Sequence, residues 1–461
     1  MTTFYFYDLE TSGINPRTQR IMQFAGQRTS LDLEPIGEPD DILIKLTPDI
    51  LPEPEAILIT GITPQRTQLE GVSEHEFLEH FEENIATADT IFIGFNTIRF
   101  DDEFMRFLHY RNLTDPYEWQ WKDGRGRWDL LDVVRMTRAL RPEGIKWPVG
   151  ENGAKPNRLE LITSLNGLEH THAHNAMSDV IGSIEVAKLI KTMQPKLFSY
   201  LMSIRGKSSV VNLLSTRVPL VYTSGQYPAE YEKTTVIVPL GLDKEPGATL
   251  AFDLHTDPET WMNDETLRET EFPIKPVKHN KCPALAPLSV VDGASWSRIG
   301  LDPATVKNRA EFAFNNADKL IALYVPKYPR TEQSIAEIPM EKVDGSLYAG
   351  FISGSDKRQL DRIRKLPATE LTDLEVTFED LRLPGLLFLY RARQFPKSLL
   401  AEEREQWEKY LTHKLTELGE FDKFMNSLEE LAKLDYLDAD KRYILEELAL
   451  YGQSVVPLDS F

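Results

Sequence analysis

The sequence predicts an α/β domain first, then a β-rich part, then a helical part. Three observations carry that expectation. Up to about residue 195, strand-like and helix-like signals alternate. From there to about Gly350 the apolar runs are short, β-favouring and broken by Pro and Gly. From Ser353 onward Glu and Lys fill polar faces around Leu and Tyr in a helical pattern. At 461 residues the chain is too long for one compact core, so two to four domains are expected. We place the boundaries at 1–195, 196–350 and 351–461.

Phe4–Glu10 opens the chain with Phe4, Tyr5, Phe6 and Tyr7, large side chains that suit a buried pleated surface. Arg20–Leu31, Ile42–Leu46 and Thr90–Asn96 are further strand candidates. Asp101–Arg111 and Asp129–Leu140 read as helices. So does Ala176–Met193, where Met177, Val180, Ile181, Ile184, Ala187 and Ile190 recur at helical spacing. Residues 141–158 are rich in Gly, Pro and polar side chains, and a loop of that length inside a domain is more often functional than idle. Gln194-Pro195 marks the first boundary. In the second part Val210–Leu214, Pro219–Tyr222, Thr234–Pro239, Thr249–Asp253 and Lys319–Val325 favour strands.

Composition bounds the function classes. Hydrophobic residues make up 41%, charged residues 27%, and no apolar run approaches the roughly 18 residues a membrane span needs. The N-terminus reads as strand almost at once, without the pattern of a signal peptide. A single cysteine, Cys282, excludes an intrachain disulfide framework and a cysteine-based zinc cluster. These features point to the cytoplasm. The net charge of −20 opposes binding a polyanion, yet Arg106 to Arg158 carries eleven Lys/Arg against seven Asp/Glu. Ala401 to Phe461 carries seven against fifteen. Charge distribution, not the total, decides whether a groove takes nucleic acid.

The chemistry begins at Asp8-Leu9-Glu10. Side chains alternate along a strand, so both acids share one face, where like charges raise each other's pKa unless a cation neutralises them. A strand running out into the polar turn Thr11-Ser12-Gly13 is the plainer reading. GFNTIRFDDE, Gly94 to Glu103, supplies further acids, although Asp101-Asp102 would also suit the start of a helix on dipole grounds alone. HTHAHNAMSDV, His170 to Val180, places His174 five residues before Asp179.

Taken together, D-x-E at a strand end, N-x-x-x-F-D and H-x-x-x-x-D entering a helix resemble the DEDDh exonuclease family, whose fold is of ribonuclease H-like type. Beyond these motifs, LPEPEAILITGITP (51–64), IGFNTIRFDDEFMRFLHYRN (93–112), RWDLLDVVRMTRALRPEGIKWP (127–148), NRLE (157–160), HNKCPALAP (279–287) and LLFLYRARQFP (386–396) resemble the bacterial exonuclease I family. That resemblance implies a nuclease domain, an SH3-like β-barrel and an α-helical C-terminal domain enclosing a DNA channel. It implies processive 3′→5′ degradation of single-stranded DNA to nucleoside 5′-monophosphates, with a role in DNA repair and recombination. Two divalent ions, Mg²⁺ with Mn²⁺ as the alternative, would be held by Asp8, Glu10, Asp101 and Asp179, with His174 as general base.

For the DNA itself, DPYEWQWKDGRGRW (115–128) interleaves aromatic and basic residues, the combination that holds single strands, though aromatics there could equally fill a core. The resemblance places Tyr117 and Trp121 as aromatic contacts, and Arg106, Arg135 and Arg158 at phosphates. Glu10, Thr60 and Gly61 would sit at the terminal nucleotide, with backbone amides open there. Tyr200 and Lys207 are further contacts of the same kind. Members of the family are recruited by the acidic C-terminal tail of single-stranded DNA-binding protein, and Arg141 matches a basic position for it. Leu9 stands where the family has tyrosine, and Cys282 is expected to be structural. A monomer is expected. An RNA-trimming or proofreading nuclease fits less well, because such proteins consist of little more than the nuclease domain. A catalytically idle DNA-binding scaffold also fits less well, because all five catalytic positions are filled.

Overall fold

The computed structural model describes residues 1–151, 153–169, 175–244, 246–324, 338–372, 374–435 and 437–457. Strands β1 (Thr3–Thr11), β2 (Ile21–Thr29), β3 (Asp40–Leu43), β4 (Thr90–Gly94) and β5 (Gly126–Asp129) form one mixed sheet in the order β3-β2-β1-β4-β5. β1 runs antiparallel to β2, pairing Asp8 with Ala25, and parallel to β4, pairing Phe6 with Ile93. β5 adds to β4 in parallel, with Asp129 beside Gly94.

Alternation along β1 separates its two faces. Tyr5, Tyr7 and Leu9 pack with Phe24, Phe77, Phe81, Phe92 and Trp119. Phe4 and Phe6 face the helix Ala176–Met193, packing in one core with Val180, Ile184 and Ala187. Asp8 and Glu10 continue this second face where the apolar cover ends, and both are half-buried. The helices Asp101–Arg111 and Ala176–Met193 form as expected, while the helix after Asp129 begins at Leu130 with the Asp129 side chain as its cap. Gly126–Asp129, too short and too polar to signal by pattern, is a strand of this sheet that sequence reading missed, as it missed Ile274–Lys278 and Ala284–Pro287 in the second sheet.

The second sheet is antiparallel: β6 (Leu220–Thr223), β7 (Thr234–Leu242), β8 (Ala248–Asp253), β9 (Ile274–Lys278) and β10 (Ala284–Pro287), in the order β10-β6-β7-β8-β9. Two β-favouring runs proved helical. Val210–Leu214 lies in the helix Lys207–Ser215, where Val210 and Leu214, four apart, are the buried pair. Lys319–Val325 overlaps the helix Ala317–Ala322, which buries Leu320. Short apolar runs do not separate the two periods, and tertiary burial decided them. Gln194-Pro195 ends one helix but starts another, Pro195–Ser203, whose Phe198 still packs edge-on against Trp128 at 5.0 Å.

The helical C-terminal part shares a core with the first sheet's domain: Met22, Ile50, Phe107 and Tyr110 pack in one cluster with Leu347, Leu383, Leu386 and Leu448. Val343 and Leu347 belong to this cluster too, so residues just before Gly350 pack with the C-terminal helices.

Candidate active site and nucleic-acid clefts

Asp8, Glu10 and Asp179 each offer a carboxylate oxygen within 4.8 Å of one another. Three local structures bring them there. The end of β1 presents Asp8 and Glu10. The first turn of the helix Ala176–Met193 presents Asp179, and Asn175 caps that turn by accepting the Ser178 N–H at 3.2 Å. Asp101 opens its helix after a loop in which Asn96 adopts a φ of 73°. Asp129, at the end of β5, fixes this loop by accepting the N–H groups of Asn96 and Ile98, each at 3.1 Å. Sequence reading saw Asp129 only as a helix start.

The electrostatics is lopsided. Burial drives the Asp8 carboxyl well above the usual carboxylate range, and the charges of Asp101 and Asp179 add to it. Glu10 is pushed up to about 9 by burial and by Asp8 and Asp179. Asp101 is raised by burial, then by Asp102, Asp129 and Glu10. Asp129 rises to about 6, chiefly through burial. The charges that raise Asp8 and Glu10 are carboxylates, and each raises the next. Clustered hard oxygens of that kind fit a divalent cation. His174 lies outside the described residues.

Asp102, next in the chain, has different partners from Asp101. It is buried, accepts the Tyr7 hydroxyl at 2.6 Å and pairs with Arg127, which also donates to the Asn280 carbonyl at 2.7 Å. Asp101 is outside the group of three within 4.8 Å, although its charge acts on Asp8, and Asp102 belongs to the scaffold.

A cleft of about 490 Å³ is bordered by Asp8 and Asp179 and by the cations Arg135, Lys155, Arg158 and Lys233. Arg158 is the open one, with its side chain 74% exposed and its nearest acid, Glu160, at 3.9 Å. Arg135 is held by Asp132 at 2.6 Å, and Lys155 by Glu232 at 2.6 Å. Sequence reading missed Lys155 and Lys233. The first sat in the loop noted for its length, and the second comes from the neighbouring domain.

Tyr117 borders a second cleft of about 810 Å³, with Arg17 from the first domain and Tyr348, Phe351 and Lys357 from the C-terminal part. Trp121 is exposed. Arg106, expected at a phosphate or other substrate contact, is buried: it donates to Gln120 at 3.0 Å, pairs with Glu103 and lies 5.8 Å over the Tyr117 ring. Thr60 ends the helix Pro54–Thr60, and Gly61 caps it with a φ of 69°. The amide expected to be open at Gly61 is spent on the Ile57 carbonyl at 2.8 Å, and Ile62 N–H donates to the Thr60 hydroxyl at 3.2 Å. Tyr200 is half-buried in the helix Pro195–Ser203, and Lys207 is exposed at the start of the next. Arg141 donates to the Val290 carbonyl at 2.7 Å and faces Asp292 at 3.6 Å. The Cys282 thiol donates to the Arg127 carbonyl at 3.3 Å.

Three family models match in order: "Exonuclease" over residues 5–187, "Exonuclease I SH3-like domain" over 205–327 and "Exonuclease I C-terminal domain" over 341–455. The chain belongs to the exonuclease I family. It is an exonuclease with the three-part architecture of that family. Exodeoxyribonuclease I of Haemophilus influenzae is 38% identical over 477 aligned positions, covering 98% of each chain. The structure of Escherichia coli exonuclease I with a dA16 oligonucleotide superposes with a TM-score of 0.91 at 34% identity, covering 99% of this chain and 100% of that one. A solved SSB/exonuclease I structure with the inhibitor CFAM superposes at 0.88 and 35% identity, with the same coverage. Among the described residues, no helix is long and apolar enough to cross a membrane.

Proposed function

We propose that this exonuclease degrades single-stranded DNA processively from the 3′ end to nucleoside 5′-monophosphates, at divalent ions held by Asp8, Glu10, Asp101 and Asp179. The observation that carries the reading is a half-buried carboxylate cluster, with acids as its own neighbours, facing cations across one cleft. Two bound ions, Mg²⁺ with Mn²⁺ as the alternative, would supply a water that ionises near neutral pH and neutralise charge at the scissile phosphate. The chain's own residues do the rest. His174 takes the proton of the attacking water, a role that suits imidazole because its ordinary pKa lies near neutral pH. Arg158 meets the scissile phosphate, and Arg135 the backbone beyond it.

Glu10, Thr60 and Gly61 border the terminal nucleotide, Thr60 through its hydroxyl since the Gly61 amide is spent. Bases stack on Tyr117 and Trp121. Arg106 acts by holding the Tyr117 ring, and Tyr200 and Lys207 extend the path. The tail of single-stranded DNA-binding protein is read as docking at Arg141, where its carboxylates compete with Asp292. Domain limits near 195 and 350, a monomeric state, a cytoplasmic place and a repair role complete the reading.

End-labelled DNA tests it. With Mg²⁺, 5′-labelled single strands should shorten as a ladder, 3′-labelled ones should release labelled mononucleotide at once, and duplex should resist. Chelator should stop all cleavage. A ladder from 3′-labelled DNA, or equal attack on RNA, would overturn the proposed polarity or substrate.

A further inference from the structure

Glu103 stands two residues after Asp101, in the first turn of the same helix, at a point where all three domains touch. Lys281, between β9 and β10 of the SH3-like domain, donates to Glu103 Oε1 at 2.9 Å and to the Ile98 carbonyl at 3.1 Å. Tyr348, from the C-terminal domain, donates its hydroxyl to Glu103 Oε2. Arg106, one turn on, donates to Oε1 and carries the Tyr117 ring on its guanidinium.

Arg106 is buried and Lys281 half-buried, and partial burial, then repulsion from Arg106, lowers the Lys281 pKa. The carboxylate between them lets both stay charged in one place. Elsewhere the ion networks join domains in pairs. Asp49 and Asp344 tie the nuclease domain to the C-terminal helices through Arg20, Arg393 and Lys414. Glu232 ties the SH3-like domain to Arg138 and Lys155. Glu103 meets partners from all three domains.

We propose that Glu103 is a positioning residue for processivity: it holds the SH3-like and C-terminal domains against the nuclease domain, so that the strand stays enclosed between successive cuts. The proposal rests on the exonuclease reading above. Removing the charge leaves two cations facing each other and loosens this junction, while the Asp49 and Glu232 networks keep the domains folded and attached.

The test separates enclosure from chemistry. Wild-type protein and the Glu103→Gln, Lys281→Met and Tyr348→Phe variants are given a long single strand with a trap oligonucleotide, and separately a tetranucleotide too short to be threaded. Glu103→Gln should shorten the run per binding event about ten-fold, while cutting of the tetranucleotide changes by less than about two-fold. Lys281→Met and Tyr348→Phe should each shorten the run less, and add little when combined with Glu103→Gln, because they act through it. An unchanged run length in Glu103→Gln overturns the proposal. So does an equal loss on the tetranucleotide, which would make Glu103 a support for Asp101 alone. If Glu103→Gln does not fold, unchanged runs in both other variants overturn it. Wild-type protein that cuts neither substrate instead overturns the exonuclease reading, and this proposal with it.

Discussion

Asp49 and Asp101 are both buried aspartates of the nuclease domain, and their carboxyl groups are driven in opposite directions. Burial raises each. At Asp49 the charges of Arg393, Lys414 and Arg20 outweigh it and hold the carboxyl well below the usual range. Arg393 grips Asp49 at 2.7 Å and 3.1 Å, and Lys414 donates to it at 2.9 Å. Asp344 shares Arg393 and Arg20 and is lowered likewise. At Asp101 the neighbouring charges are acids, and they add to burial. A buried acid that carries its own cations is a structural staple. A cluster in which acids raise one another suits a divalent cation.

Exchanging charge for shape should break the two regions differently. Asp179→Asn is expected to lower the cleavage rate about 10³–10⁴-fold, some 4–5 kcal/mol of barrier, measured in single turnover. It should destabilise the chelated protein by less than about 1 kcal/mol, because it also removes a charge that opposes Asp8 and Glu10. Asp49→Asn should do the reverse. It strands Arg393 and Lys414 and costs about 3–5 kcal/mol of stability in denaturant titration. Equal destabilisation by both would erase the distinction.

Metal sharpens the contrast at smaller size. At a hundred times its dissociation constant, Mg²⁺ should stabilise wild-type protein by about 2.7 kcal/mol, and Asp179→Asn by much less. pH gives the smallest handle, with a definite sign. Glu10 rises from 4.5 unfolded to about 9 folded, so between those values the folded chain binds more protons. Its stabilising share is present in acid and lost as pH climbs toward 9 in chelator, relative to Glu10→Gln; bound metal should abolish that slope. Asp49 and Asp344, depressed in the fold, add stability above the ordinary carboxylate range and lose it as pH falls below that range. Urea titrations across pH, with and without metal, read both slopes.

Much of the carboxylate cluster was legible because it is local. Asp8 and Glu10 on one face follow from strand alternation, and Asp101 and Asp179 from helix starts. The burial of Arg106 was not legible because burial is not a local property: Glu103 and Gln120 claim its guanidinium beneath Tyr117. The Gly61 amide was misjudged because a glycine that permits close approach also caps a helix, and here the cap takes the N–H. Val210–Leu214 went the wrong way because a five-residue apolar run fits either period.

The sequence by itself determined the order of the three parts, the acids of the cluster and the family resemblance, since these depend on side-chain type and spacing along short segments. Only the tertiary structure decided which carboxylates meet cations and which meet other acids. Asp49 meets its nearest cations from positions 344 and 365 residues away, and Glu103 meets Tyr348 across 245. Partners so distant in the chain are chosen by how the cores pack, and packing sets the dielectric in which each charge is felt.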